Sequence, residues 1–307
     1  MPDLVEINVD DMLNAWGLRH VRFGRGVLRA LARPAASGFA RDMRRFDEVV
    51  RTAGLGAAGA ILCRRYTGGV RAAGVVHVPL AGPALILSNH PGLADTVALF
   101  AAIPRSDLRV IALDRPFLRA LPNTTAHLYL LPDDATARVG IIRAVARHLR
   151  SGGAALTFPA GEIEPDPLVL PGAEASLATW SESIGLFVRL VPDMQIVVAL
   201  VGGVLSPRAL RNPLTRLRRQ DKDRELLGAT LQLMWRPYQR QTVDVVFAPP
   251  LHATDLLAQD ADPLRIVRAV TDTARHVLQN WPTRWQTVLP EPNVPLGNVP
   301  NRRRPEA

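Results

Sequence analysis

A histidine and an aspartate five residues apart, His90 and Asp95, follow directly after an apolar run at residues 84–88. A neutral imidazole can accept a proton near neutral pH, and a buried carboxylate can fix its tautomer and stabilise the imidazolium. The pair therefore predicts a general base oriented by an acid. A histidine hydrogen-bonded at a strand end, with Asp95 capping a neighbouring group, would produce the same spacing.

A second candidate follows another apolar run, at residues 154–158, and reads Phe158, Pro159, Ala160, Gly161, Glu162. Pro and Gly on either side of one residue predict a tight turn whose backbone N–H groups can face a ligand oxygen. Such donors stabilise the oxyanion that forms during acyl transfer. The alternative is an ordinary turn, in which the acids at 162, 164 and 166 are solvated or paired with arginines.

A third pattern, Gly54, Gly56 and Gly59, has the spacing of a dinucleotide-binding loop. Such a loop follows a strand and is answered by an acid about 20 residues later. No Asp or Glu occurs between Glu48 and Asp95. Nucleotide binding is therefore disfavoured, and the glycines are interpreted as a flexible turn between helices.

The candidates must be positioned by short β-prone runs that alternate with helical patterns from about residue 74 onward. This alternation predicts an α/β fold with a mixed, largely parallel sheet covered by helices on both faces. Strands are predicted at 75–78, 84–88, 109–113, 127–131, 154–158, 195–201 and 242–247. Helices are predicted at 136–150, 205–219 and 263–279.

Three regions are predicted along the chain. Residues 1–70 form a basic helical region, in which the apolar spacing of residues 12–50 predicts two helices broken at Pro34 and Gly38. Residues 71–287 form the α/β domain. Residues 288–307, rich in Pro and Asn and ending in arginines, are predicted to be a disordered tail.

Bulk composition limits the partners. The formal charge is +9, Lys222 is the only lysine and Cys63 the only cysteine, so an internal disulfide and a cysteine-built zinc site are excluded. A basic chain suits anionic partners, and the N-terminal helices with Trp16 and Phe23 are expected to meet an anionic membrane surface. Nucleic acid is disfavoured because aromatic residues make up 5% of the chain.

With no membrane-spanning run or signal peptide evident, we expect a cytoplasmic protein, peripheral at the inner face of the membrane.

The order and spacing of the two strand-end sites resemble the lysophosphatidate acyltransferase superfamily of glycerolipid acyltransferases, over about residues 70–250. Its first motif, Asn-His followed by four residues and Asp, is matched by Asn89, His90 and Asp95. Its third motif, Phe-Pro-Glu-Gly-Thr-Arg, reads Phe-Pro-Ala-Gly-Glu-Ile here, a variant similar to the hemolysin-like or aminolipid branch. The fourth motif is similar to Val191, Pro192 and the run 196–201, whereas the second has no convincing counterpart in 128–138.

The resemblance implies an O- or N-acyltransferase that moves an acyl group from acyl-CoA or acyl carrier protein to a lysophospholipid or another lipid-like hydroxyl or amine, without a bound cofactor or metal. It implies catalytic roles for His90 and Asp95. Ile163 stands where the family carries a phosphate-binding arginine, so another arginine would have to replace it. The implied substrate-binding residues are Asn89, Phe158, Pro159, Gly161, Glu162, Arg115, Arg119 and Arg138. The alternative is a non-catalytic basic protein that binds lipid or nucleic acid on a degenerate acyltransferase fold.

Overall fold

The computed structural model describes residues 3–18, 24–132 and 134–289. Within them the strands are β1 Gly69–Ala73, β2 Ala84–Ser88, β3 Arg109–Leu113, β4 Leu128–Leu131, β5 Ala154–Thr157, β6 Gln195–Gly202, β7 Thr242–Phe247, β8 Leu251–His252 and β9 Gln286–Leu289. The α-helices are α1 Leu4–Ala15, α2 Arg25–Tyr66, α3 Leu93–Ala102, α4 Pro116–Arg119, α5 Pro122–Thr125, α6 Ala135–Arg150, α7 Ala173–Ser176, α8 Ser183–Leu190, α9 Pro207–Leu210, α10 Asp221–Met234, α11 Ala253–Gln259 and α12 Pro263–Gln279. Four 3-10 helices span Val75–His77, Leu177–Thr179, Pro213–Leu217 and Arg236–Tyr238.

The strands form one mixed sheet in the order β4-β3-β5-β2-β6-β7-β1-β9, with β8 paired to β6. The first five strands of this order run parallel, β7 runs antiparallel to β6, and β1 is parallel to β7. The predicted fold class is confirmed. Because β4, β3, β5, β2 and β6 share a direction, their carboxyl ends meet at one edge of the sheet, where open α/β sheets bind ligands.

Alternate residues along the central strands pack into two separate cores. Ala84 and Ile86 of β2 join the core that holds α1, α2 and α3, while Leu85 and Leu87 join the core on the opposite face with α6, α8 and α12. A strand buried on both faces has apolar residues at every position, since neighbouring side chains point to opposite sides. The unbroken apolar runs in the sequence follow from this burial.

The N-terminal region differs from the expected pair of helices broken at Pro34 and Gly38. Helix α2 continues through Pro34, and its break lies at Gly54, where φ is 81° and ψ is 175°. Ala32, Ala36 and Ala40 are fully buried in the core that α2 shares with α1, and this packing outweighs the hydrogen bond that Pro34 removes. The basic region 1–70 therefore contributes to the core of the sheet.

The glycines resembling a nucleotide loop belong to this helix. A Cβ at Gly59 would lie 2.5 Å from the carbonyl oxygen of Val97 in α3. The small side chain is required because the two helices pack closely there. Packing between α2 and α3 thus accounts for Gly59, and Gly54 marks the break in α2.

Other predicted elements differ locally. The strand expected at 75–78 is a 3-10 helix that follows Gly74, whose φ is 72°. The helix expected at 205–219 is divided because Pro207 and Pro213 each begin a new short helix and cannot continue an old one. Residues 288 and 289, expected in the tail, lie in β9, and residues 290–307 lie outside the described residues.

No helix within residues 3–18, 24–132 and 134–289 is both long enough and apolar enough to cross a membrane.

Candidate functional site

The loop after β2 is held by the side chain of Asn89. Its Nδ2 donates to the carbonyl of Val201 at 2.9 Å, and its Oδ1 accepts from the N–H of Val201 at 2.7 Å. Strand β2 ends at Ser88, opposite Ala199 of β6, so the Asn89 amide continues the pairing with β6 beyond the end of the strand. Both polar ends of this buried side chain are engaged with backbone. Asn89 therefore fixes the position of the loop that carries His90.

The predicted pair is in contact. His90 Nδ1 lies 2.8 Å from Asp95 Oδ2, and the Asp95 side chain is completely buried while that of His90 is 28% exposed. Asp95 Oδ2 also accepts from the N–H of Gly92 at 2.9 Å, and Oδ1 accepts from the hydroxyl of Thr96 at 2.9 Å. Nε2 of His90 makes no hydrogen bond to a described residue. The ring is oriented on one side and available on the other.

Gly92 gives the loop the turn that this contact requires. Its φ is 155° and its ψ is −164°, a conformation open essentially to glycine alone. Helix α3 begins at the next residue, so Asp95 lies in its first turn. A carboxylate in the first turn is favoured because the unpaired N–H groups at a helix start carry partial positive charge.

The backbone of His90 is bound by a residue that the sequence reasoning missed, Glu164. Its Oε2 accepts from the His90 N–H at 3.0 Å, and its own N–H donates to the His90 carbonyl at 2.9 Å. The other oxygen, Oε1, accepts from Ser176 and from the Trp180 indole, each at 3.0 Å. Glu164 is buried and bonded to His90, so the alternative in which this acid is solvated or paired with an arginine does not hold for it.

Asp166 performs the same task for the loop after β6. Its Oδ1 accepts from the N–H of Gly203 at 2.9 Å and its Oδ2 from that of Leu205 at 2.9 Å, and it too is buried. The sequence signal was present in Pro165 and Pro167, because a residue that precedes proline is restricted to extended conformations. An extended, acid-bearing segment at a strand end is suited to bridging neighbouring loops.

Electrostatics favour a basic imidazole. Burial disfavours the imidazolium, but the charge and hydrogen bond of Asp95, with a further contribution from the charge of Glu164, outweigh it and raise the pKa of His90 above its ordinary value. Burial raises the pKa of Glu164, and the donors at Trp180, Ser176 and His90 oppose this effect. Burial likewise raises the pKa of Asp166 against its backbone donors.

The turn after β5 lies against the histidine. The Phe158 ring centroid is 4.5 Å from that of His90. Gly161 donates its N–H to the Phe158 carbonyl at 3.1 Å, and the Pro159 carbonyl accepts from Ser181 at 3.1 Å. Pro159 has no N–H and that of Gly161 is used inside the turn, whereas the N–H groups of Ala160 and Glu162 have no acceptor among the described residues. Both are candidates to bind a ligand oxygen.

Glu162 and Ile163 point away from the buried network. The Glu162 carboxylate is exposed and pairs with Lys222 Nζ at 3.1 Å, while Ile163 is 51% exposed. The alternative interpretation placed this acid in solvent or on an arginine; it is exposed, and its partner is the only lysine. Position 163, where the resemblance would place a phosphate-binding arginine, therefore carries no positive charge, and neither does its neighbour Glu162.

The three candidate arginines follow β3 and β4, whose carboxyl ends share the edge with His90. These strands lie two and three positions from β2 in the sheet, roughly 10 and 15 Å away. Arg119 pairs with Asp114, and Arg138 Nε donates to the Pro132 carbonyl at 2.8 Å. Arg115 is exposed and precedes α4. Topology brings these residues to the same edge as the site, and the contacts of Arg119 and Arg138 are with their own loops.

No protein-family model matches the chain, and no curated protein sequence matches it. Among solved structures it is similar to the 1-acyl-sn-glycerophosphate (LPA) acyltransferase PlsC from Thermotoga maritima, with 14% identity, a TM-score of 0.47, and coverage of 92% of this chain and 100% of that chain. A similarity at this level assigns no activity or substrate. These must come from the residues of the site itself.

Proposed function

We propose that this chain is an acyltransferase in which His90 is the general base. Nε2 of His90 removes the proton of an acceptor hydroxyl or amine as the acceptor oxygen or nitrogen attacks the carbonyl carbon of an acyl thioester. The new C–O or C–N bond forms, the C–S bond breaks, and the imidazolium returns the proton to the departing thiolate. Asp95 stabilises the imidazolium while it exists.

The observation that carries this proposal is the divided environment of the His90 ring. One nitrogen is fixed on a buried carboxylate, and the other has no partner among the described residues, in a side chain that is 28% exposed. His77 and His148 also bond through one nitrogen, but their partners are backbone carbonyls, whereas the carboxylate of Asp95 can balance an imidazolium. The His90 ring is therefore prepared to exchange a proton with a molecule that enters from the sheet edge.

The N–H groups of Ala160 and Glu162 are the proposed donors to the oxyanion. They belong to the turn that begins at Phe158, whose ring packs against His90. Donors fixed by a short turn need little reorganisation when charge develops on the carbonyl oxygen. The proposed acyl donor is a thioester of coenzyme A or of acyl carrier protein, and the proposed acyl acceptor is lipid-like.

We further propose that the preferred acceptor carries an amine, sugar or zwitterionic head group rather than the phosphate monoester of lysophosphatidate. Ile163 offers no charge where the resemblance would place an arginine, and Glu162 adds a carboxylate next to it. A charge-assisted hydrogen bond to phosphate is worth about 1.5–3 kcal/mol, so its loss penalises that acceptor. Arg115, Arg119 and Arg138 are the candidates for a phosphate contact, and Arg115 has no side-chain hydrogen bond or ion pair to a described residue.

The deciding experiment measures thiol release from acyl-CoA and acyl carrier protein, with intact-lipid mass spectrometry of the products. His90→Ala should lower turnover at least about a hundredfold, as loss of a general base does, with an unchanged circular dichroism spectrum. His252→Ala, at an exposed histidine in β8, is the matched control and should retain full turnover. Equal activity in His90→Ala would remove His90 from the mechanism. Lipid binding without turnover in the wild type would favour the non-catalytic alternative.

A further inference from the structure

The segment 207–219, which follows β6, has an unusual charge. It contains five arginines and no acid. Arg218 pairs with Asp223 at 2.6 Å. The other four are exposed and have no acidic partner within 4.0 Å among the described residues; they are Arg208, Arg211, Arg216 and Arg219. The segment therefore presents a concentrated positive charge to solvent.

Two exposed leucines lie within this charge. Leu214 is 51% and Leu217 is 77% exposed, and both belong to the 3-10 helix Pro213–Leu217. In a 3-10 helix, side chains three residues apart lie on the same side. Thr215, between them, is buried. The helix therefore presents an apolar side outward and a polar side inward.

This exposure is imposed by fixed contacts. Asn212 accepts from the Leu214 N–H at 2.9 Å and donates to the Tyr238 hydroxyl at 2.8 Å. The Thr215 hydroxyl donates to the Leu210 carbonyl at 2.9 Å. Rotating the leucines inward would break these contacts. The turn consequently holds two apolar side chains in solvent beside four exposed arginines, a combination that suits a surface with both apolar and anionic groups.

The segment adjoins the site at both of its ends. At its start, a Cβ on Gly92 would lie 3.4 Å from Val204 and 3.9 Å from Leu205. Beyond its end, Lys222 pairs with Glu162 of the turn next to His90. A surface in contact with the segment therefore lies close to the reactive ring.

The N-terminal helices, in which the sequence suggested membrane contact, are arranged differently. Trp16 packs against the core, and Phe23 lies outside the described residues. Val27 and Leu31 of α2 are 64% and 68% exposed, but the neighbouring Arg29 pairs with both Glu6 and Asp10. Arg25, Arg29 and Arg33, which flank these two exposed side chains, are each paired with Glu6 or Asp10.

We propose that the segment 207–219 docks on the surface of a bilayer that contains anionic lipid. Leu214 and Leu217 enter the boundary between head groups and acyl chains, and the four arginines contact lipid phosphates. Leucines in place of stacking aromatics favour a bilayer over a nucleic acid. The proposal rests on the proposed function in one respect, because a lipid-like acceptor would reach His90 from this surface.

The test is cosedimentation of the full chain with vesicles of phosphatidylcholine alone and with roughly one third phosphatidylglycerol, at rising sodium chloride. Wild type should bind the anionic vesicles and lose binding with salt. Leu214→Ser/Leu217→Ser should weaken binding about tenfold, and Arg216→Gln/Arg219→Gln about tenfold to thirtyfold. Val27→Ser/Leu31→Ser, equally exposed on α2, is the matched control and should bind like wild type.

Unchanged binding in both segment variants, or a loss confined to the α2 control, would overturn the proposal. Tighter binding to single-stranded RNA than to vesicles would overturn it in favour of nucleic acid. Thioester turnover with a short-chain, water-soluble acceptor should be the same in the segment variants as in wild type. Because vesicle binding is measured without turnover, failure of the docking surface and failure of the proposed activity are distinguishable.

Discussion

Two loops at the same edge of the sheet divide the work of the site. The loop after β2 carries His90, whose ring is partly exposed, and pairs it with an aspartate only five residues away. The loop after β5 places two buried acids, Glu164 and Asp166, on backbone N–H groups of the neighbouring loops. Proton exchange needs a group that solvent or substrate can reach, whereas fixing that group needs buried, fully bonded partners. The first loop therefore supplies the exposed ring together with two buried partners, Asn89 and Asp95, and the second loop adds the bonds that hold its backbone.

Among substitutions of the acids in the two loops, Asp95→Asn is expected to lower thioester turnover the most. The amide keeps the size of the carboxylate, but its one oxygen can accept from either Gly92 or Thr96 and not from both, and it cannot balance an imidazolium or enforce the same tautomer. We expect the circular dichroism spectrum to be unchanged. We expect thioester turnover to fall about a hundredfold or more. Turnover at the wild-type rate would make Asp95 a helix-capping residue only, and would move the chemistry away from the first loop.

A smaller effect is expected from Glu164→Gln, which changes the second loop alone. The carboxylate accepts from His90, Ser176 and Trp180, whereas an amide offers one acceptor oxygen and turns its NH₂ group toward donors. Slight misplacement of His90 should lower kcat about tenfold.

The pH profile separates this positioning role from a merely structural one. The charge of Glu164 raises the pKa of His90, so its removal should lower that pKa. A general base acts when deprotonated, and the acidic limb of the rate profile should therefore move to lower pH. Glu162→Gln, in the same loop but exposed, is the control and should leave the limb in place. An unmoved limb in Glu164→Gln would contradict the electrostatic role.

The smallest effect concerns the exposed end of the second loop. Glu162→Thr removes an exposed ion pair with Lys222, and total turnover should change less than about fivefold. The ratio of kcat/KM for lysophosphatidate to that for amine-bearing or glycosylated acceptors should rise, because a repulsive charge is lost. A clear preference for lysophosphatidate in the wild type would contradict the acceptor proposal and point to Arg115, Arg119 or Arg138 as the phosphate contact.

Strands β2 to β7 were predictable from their apolar runs, whereas β1, β8 and β9 were not predicted. The runs at 84–88, 109–113 and 242–247 coincide with β2, β3 and β7. Helix α2 was harder, since Pro34 is a local signal for a break and the burial of Ala32 and Ala36 depends on α1, which no local pattern reports. The short helices between 205 and 219 were merged because the apolar spacing passes over two prolines.

The site, like the fold, was predictable where its contacts are local in sequence. The spacing of His90 and Asp95 could be recognised in the sequence because both residues belong to one turn of chain. Glu164 acts on a residue 74 positions earlier, and Asn89 acts on Val201, 112 positions later. Interactions of this range leave no spacing pattern in a single sequence, although the prolines after Glu164 and Asp166 restricted the backbone in the required way.

The hydrogen bonds between Asn89 and Val201 can form only after both residues have been synthesised. At about 5–20 residues per second, the 112 residues that separate them take about 6 to 22 s to synthesise. The pairing of strand β1 is delayed further, because its parallel neighbour β7 begins at Thr242. The histidine motif leaves the ribosome long before the strands that hold it in place. A chain interrupted before residue 195 would carry the reactive residues without the strand that fixes their loop, so the geometry of the site arrives only with the second half of the protein.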